Sequence, residues 1–229
     1  MHPNVYALGA IALWAALASL GVTLRHVPPF LLTGLALVIG SVPAWPLVRQ
    51  WRVPPLTLAL GIYGLFGYHF LLFLALRLAP AVEANLVNYL WPLLIVVLAP
   101  LFLPGVRLRK AHVLAALAGF AGAAIGLFGL ISGVLALLCH AALEPTVALS
   151  TRDWLLIGVM GLGPLGAAFF LWDKALKGGD ARHIGILSYI TPLASTTLLL
   201  AVTGRAFSAS IALAAALIIG AAVLGTRAR

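Results

Sequence analysis

The sequence predicts an all-α integral membrane protein made of two inverted repeats. Three observations carry that expectation. Of the 229 residues, 63% are hydrophobic and only 8% are charged, and mean hydropathy is +1.14; soluble domains run near half apolar and about a quarter charged. Apolar runs of about 20 residues, the length that crosses a bilayer, follow one another with short loops between them. Finally, Asn88-Tyr89-Leu90-Trp91-Pro92-Leu93 is answered one hundred positions later by Ser188-Tyr189-Ile190-Thr191-Pro192-Leu193. Self-similarity at a fixed offset marks an internal repeat.

Nine runs qualify as spans, at about 4–24, 28–48, 55–77, 80–103, 110–128, 129–145, 152–173, 183–203 and 207–226. The first, around Trp14, has no counterpart. The second carries Thr33-Gly34-Leu35-Ala36-Leu37, which resembles Ser132-Gly133-Val134-Leu135-Ala136 in the sixth. The third and fourth echo the seventh and eighth: Gly61 with Gly161, Phe70 with Phe170, Ala75 with Ala175, Arg77 with Lys177, Tyr89 with Tyr189, Pro92 with Pro192. The fifth, with Gly119 and Gly122, resembles the last, with Gly220 and Gly225. The sixth run is short and continues from the fifth with no charge or proline between. One helix of the second repeat is therefore expected to be missing, at about residues 125–131.

Charge gives an independent count. With the N-terminus in the cytoplasm, Arg49/Arg52 and Arg107/Arg109/Lys110 fall inside and the poorer loops at Arg25 and Arg77 fall outside, as the positive-inside rule asks. Nine spans would put Lys174, Lys177 and Arg182 outside. Restoring one span puts them inside, Arg205 outside and Arg227/Arg229 inside. The expectation is ten transmembrane helices in two inverted five-helix repeats, with the first helix of the second repeat missing; the alternative is a nine-span protein. The repeats divide one membrane domain at 1–128 and 129–229, the second holding four of its five helices. Inverted repeats place a substrate path near the bilayer midplane, at their interface.

Several function classes find no support. The net charge of +9 sits in short loops, which membrane topology explains without nucleic acid. Cys139 is the one cysteine, so neither a disulfide framework nor a cysteine metal site is expected. No Walker-type glycine loop, HExxH, GxSxG or pair of carboxylates at one depth occurs, so neither ATP-driven work nor an enzyme activity is expected, and no cofactor. The first run lacks a basic leader and reads as a spanning helix rather than a cleavable signal.

The repeat, the span pattern and the two proline-bearing helices resemble the drug/metabolite transporter superfamily with EamA-type repeats. Gly67-Tyr68-His69-Phe70 and Asn88-Tyr89-Leu90-Trp91-Pro92 are similar to the YddG-type aromatic amino-acid exporters within it. The resemblance implies ten helices, alternating access, a bacterial-type inner-membrane location with both termini cytoplasmic, and export of small metabolites. The absent sixth helix is the departure from that pattern.

The residues offer a candidate path. Asn85, Asn88, Tyr89 and Pro92 follow helical spacing and share a face. Two amides and a phenol belong in the bundle interior or a watery cavity, away from lipid; the other reading is interhelical packing through Asn. Ser188, Tyr189, Thr191 and Pro192 hold the matching place in the second repeat. Pro92 and Pro192 remove a backbone hydrogen bond and read as hinges or as static bends. His69, mid-span beside Tyr68, reads as a substrate or proton contact, or as a histidine satisfied by a neighbouring helix. Trp14, Trp91 and Trp172, with Tyr68, Tyr89 and Tyr189, make an aromatic wall suited to a flat hydrophobic ligand, or pack as ordinary core. Trp45, Trp51 and Trp154 read as interfacial anchors. Asp173 and Lys174 read as solvated end charges or a paired gate, and His140 and Cys139 receive no role.

Together these predict a secondary transporter that exports aromatic or hydrophobic amino acids and related metabolites. Its partners are the small-molecule substrate and the bilayer, and it works as a monomer or a homodimer. Lacking a mid-membrane carboxylate, transport is expected to be facilitated or coupled through His69 alone. A broader drug or metabolite carrier is the rival within transport; a membrane scaffold or enzyme is the rival outside it.

Overall fold

The computed structural model describes residues 2–51, 53–89, 122–209, 211–213, 216 and 220. Among them every regular element is helical, and six helices are long and apolar enough to cross a membrane. α1 (Pro3–Thr23) begins on Pro3, whose missing N–H is harmless in a first turn. α2 (Pro29–Ser41) tightens into a 3-10 segment over Val42–Gln50. Pro43 and Pro46 lie in that stretch and cannot donate to an α-helical ladder. α3 (Pro55–Ile62) passes through a π segment (Tyr63–Gly67) into α4 (Tyr68–Leu78), and α5 (Ala81–Asn88) follows.

The second half repeats the pattern. α6 (Gly122–Leu143) leads to α7 (Thr151–Leu162), a second π segment (Gly163–Ala167) and α8 (Ala168–Gly178). α9 (Ala181–Leu187) and α10 (Ile190–Thr203) complete it. The two π segments sit one hundred positions apart, so the repeat extends from sequence to backbone irregularity. The expected boundary between the fifth and sixth spans at 128 falls inside α6. Nothing between Gly122 and Leu143 breaks a helix, so the short sixth run is part of a 22-residue element. The expected spans 80–103 and 110–128 lie largely, and 207–226 mostly, outside the described residues.

The repeats meet through α2 and α6, and glycine sets the distance. A methyl on Gly133 would lie 2.9 Å from the Gly34 carbonyl oxygen, and one on Gly34 would lie 2.7 Å from Leu137. These are the glycines of the two echoing pentapeptides. α7 packs on the other side of α2, where a methyl on Gly161 would come within 2.8 Å of the Ala36 carbonyl and one on Gly40 within 2.8 Å of the Leu165 carbonyl. Close backbone approach of this kind is how helices associate where apolar surface alone gives no preference over lipid. The largest buried cluster runs from Leu17 and Leu24 through Leu32 and Leu37 to Phe73, Leu86, Met160 and Leu199.

Two rims follow from the contacts. At one, the Asn4 amide donates to His183 Nε2 at 3.3 Å, Lys174 lies 5.7 Å from the Tyr6 ring centre, and Gly179 abuts Pro3. At the other, His26 Nε2 donates to Asp153 at 3.0 Å and Arg205 donates to Glu83 at 2.7 Å. On that second rim Glu144 accepts from the backbone N–H groups of Phe30 and Leu31, at 2.9 and 3.2 Å, while His140 Nδ1 donates to Glu144 at 2.9 Å. A carboxylate at the N-terminus of α2 satisfies orphan donors and meets the positive end of the helix dipole. His140, which received no role from its place in the sequence, thus steadies a carboxylate that joins the repeats. Asp173, read as a solvated end charge or half of a paired gate with Lys174, accepts from Lys177 at 2.6 Å, one helical turn away.

Candidate functional site

The predicted polar residues gather where helices stop. α5 ends at Asn88, with Tyr89 beyond the helical region at φ −86°, ψ 6°. In the second repeat α9 ends at Leu187 and α10 starts at Ile190, with Ser188 and Tyr189 between them. Pro192 lies in the first turn of α10, inside the span His183–Thr203, just after the irregular turn at Ser188 and Tyr189. It has no N–H for the Ser188 carbonyl, which instead accepts from Thr191 N at 3.0 Å in a tighter turn. The Ser188 hydroxyl donates to the Gly185 carbonyl at 2.7 Å, so it serves its own backbone.

Asn85 and Asn88 share a face of α5 yet serve different neighbours. Asn85 is 1% exposed. Its Oδ1 accepts from the Ser195 hydroxyl at 3.3 Å and its Nδ2 donates to Thr196 Oγ1 at 3.5 Å. That is the packing role, a buried amide joining α5 to α10 across the repeats. Asn88 Nδ2 donates to the Tyr68 hydroxyl at 3.1 Å, tying α5 to α4. Tyr68 is 44% exposed, so this pair fronts open space. Tyr89 packs on the edge of the main core. Ser195 and Thr196 were missed from the sequence; the signal was the i, i+4 spacing of Thr191 and Ser195.

His69 is 3% exposed. Its Nδ1 donates to the Leu65 carbonyl, inside the π segment, at 2.8 Å. The ring stands edge-on to Tyr68 at 4.9 Å and lies 6.2 Å from Phe73. Since Leu65 offers a carbonyl, the ring proton sits on Nδ1. Thr191 is buried beside Pro192 on α10, and Tyr189 is half-buried.

The aromatic wall resolves into separate groups. Trp14 of α1 meets Phe169 and Trp172 of α8, at 5.6 and 5.3 Å between ring centres. Tyr68, His69 and Asn88 form a second group on α4 and α5. A third, absent from the sequence reading, stacks Phe30 on Phe70 at 4.0 Å, with Phe66 beyond; Phe66 and Phe70 are one turn apart. Trp91 and Pro92 lie outside the described residues. An open apolar groove lined by Trp154, Leu155, Val159 and Leu162 lies on the outer side of α7, away from these polar groups.

Inverted halves, paired π segments and polar helix ends where the repeats meet define a multi-pass membrane transporter. The EamA-like transporter family model matches twice, over residues 3–128 and 124–227. The aromatic amino acid exporter YddG of Ancylobacter novellus is 40% identical over 271 aligned positions, covering 95% of this chain and 94% of its own. A solved crystal structure superposes with a TM-score of 0.70 at 38% identity, covering 98% of this chain and 97% of that one. The chain belongs to the EamA-like transporter family.

Proposed function

We propose that this protein exports aromatic amino acids and related small metabolites by alternating access, along a path between its inverted repeats. The observation that carries the reading is the meeting of polar groups at the broken helices: Tyr68 with Asn88 on the first repeat, and Asn85 with Ser195 and Thr196 across both. Hydrogen-bonding groups at the ends of discontinuous helices are where secondary transporters hold polar parts of a substrate. The aromatic rings of Tyr68, Tyr89, Trp14 and Trp172 suit the flat part. The identity with the Ancylobacter exporter supports the substrate class. His69 is the one buried titratable residue in the group, so any proton coupling runs through it.

The working protein has ten helices, with both termini cytoplasmic. The 271 aligned positions against the 229 residues of this chain agree, leaving the relative enough extra length for one more span. The two family matches meet at 124–128, where the sequence places the gap.

The test is movement of labelled phenylalanine, tryptophan and threonine in proteoliposomes, with and without a proton gradient. Saturable flux of the aromatics, lost in Tyr89→Ala and His69→Ala, is expected. No flux of any amino acid would end the substrate reading and turn the search to drugs and other metabolites. Flux that strictly requires the gradient, and loses that requirement in His69→Gln, would replace facilitated export with coupling at His69.

A further inference from the structure

The first turns of α7 carry two residues that the first repeat lacks. Trp154 stands where the first repeat has Pro54, and Gly158 where it has Leu58. The result is the open apolar groove, about 560 Å³, lined by Trp154, Leu155, Gly158, Val159, Leu162 and Gly163. It lies on the face of α7 opposite the buried Ile157 and Met160. A methyl built on Gly158 meets nothing within 4 Å, so the floor of the groove is bare backbone. Trp154 to Gly163 measures about 14 Å along the helix at 1.5 Å per residue. The hydrocarbon core is about 30 Å thick, so the groove is one leaflet deep, the reach of a single acyl chain.

The head of the groove is cationic. Arg152 precedes Leu155 by three residues and Val159 by seven, which puts it on the same face. It is exposed and joins no ion pair among the described residues. The carboxylates of this rim are engaged elsewhere. Asp153 is buried, held by Ser150 and His26; Glu83 takes Arg205; Glu144 takes His140 and the start of α2. Arg25, next to His26, is exposed on the same rim. An apolar face alone would be bathed by any lipid. A cation without a counterion at the top of the face chooses among lipids, because it gains from a headgroup of net negative charge. We propose that this groove binds one anionic phospholipid from the leaflet at the Glu83 rim. The acyl chain lies on Gly158 between Trp154 and Leu162, and the phosphate accepts from the Arg152 guanidinium. Trp154 sits at the level of the headgroups, where an amphipathic ring is at home. A zwitterionic headgroup offers the same phosphate together with an ammonium, which Arg152 and Arg25 repel. The first repeat has no equivalent site, because Leu58 puts a side chain where Gly158 has none. A lipid held here fixes the start of α7, the helix end that His26 and Asp153 tie to the first repeat.

The experiment titrates the full chain in detergent with phosphatidylglycerol or phosphatidylethanolamine of identical acyl chains. Lipid retained one to one is read by native mass spectrometry, and the melting temperature is followed in parallel. Severalfold greater retention of phosphatidylglycerol is expected, with a rise in melting temperature that phosphatidylethanolamine does not give. Arg152→Gln brings phosphatidylglycerol down to the level of phosphatidylethanolamine. Arg77→Gln, which removes an equal charge from an exposed position in the first repeat, leaves the preference intact. Gly158→Leu fills the groove and lowers retention of both lipids, with the melting temperature of the lipid-free chain unchanged. Should that variant fail to fold, phosphatidylglycerol with brominated chains reads the same contact in the unaltered groove: it quenches a component of the tryptophan fluorescence that Trp154→Phe removes. Equal retention of the two lipids, or a preference that survives Arg152→Gln, overturns the site and leaves only unselective annular lipid. Quenching that is the same in Trp154→Phe overturns it too. So does a doubled mass that displaces lipid as the chain concentration rises, which makes a second copy the occupant.

Discussion

The span Pro55–Leu78 and its counterpart Thr151–Gly178 share a central π segment and an apolar sequence, yet the first is less buried than the second. α3 has no buried residue, whereas α7 buries Asp153, Ile157, Met160 and Gly161. The difference comes from neighbours, not from the helices. α7 packs on α2 and α8 on α1; α3 packs on α6, and α4 on α1, α2 and α5. Sequence likeness between the repeats therefore does not carry over to the cover each span receives.

Substituting the same residue type into both spans tests this most strongly. Gly161→Leu drives a side chain into the Ala36 carbonyl and Ile39. Overpacking of this kind costs about 1–3 kcal/mol and at times more, so a clear drop in melting temperature and folded yield is expected. Gly64→Leu should leave both unchanged. Equal damage from the two would mean that the first-repeat span is as tightly packed as the second.

A smaller effect distinguishes the starts of the spans. Ser150 and Asp153 form a reciprocal capping box at α7, and Asp153 also receives His26; α3 starts on Pro54 with no side-chain cap. Asp153→Ala is expected to cost about 0.5–2 kcal/mol in detergent unfolding, and Val53→Ala almost nothing. A neutral Asp153→Ala would show that the box adds nothing to a helix already held by its packing. Smaller again is Glu144→Gln, which removes a charge at the start of α2 and should cost about 0.3–1 kcal/mol. If thermal stability is instead unmoved while export slows, the contact between the repeats serves the transport cycle and not the fold.

Much of this was legible because repetition and hydropathy are local, additive properties of a chain. The echo of Gly34 in Gly133 and of Gly61 in Gly161 pointed to two related halves, and the family model matches each half in turn. Spacing on one helix cannot say which neighbour each residue will meet, and there the reading ran out. Asn85 and Asn88 looked like one polar face, and tertiary packing gave the first to α10 and the second to α4. The aromatic set looked like one wall, and packing sent Trp14 and Trp172 to α1 and α8.

The sequence by itself determined that the chain lives in a bilayer, that it has two related halves, and where its helices weaken, since apolar length, repeat and proline act within about 20 residues of themselves. Only the tertiary structure decided that Glu144 and His140 hold the start of α2, that Asn85 joins the repeats, and that α1 packs along α8. Those are contacts between residues more than a hundred positions apart, and the packing of whole helices brings them together.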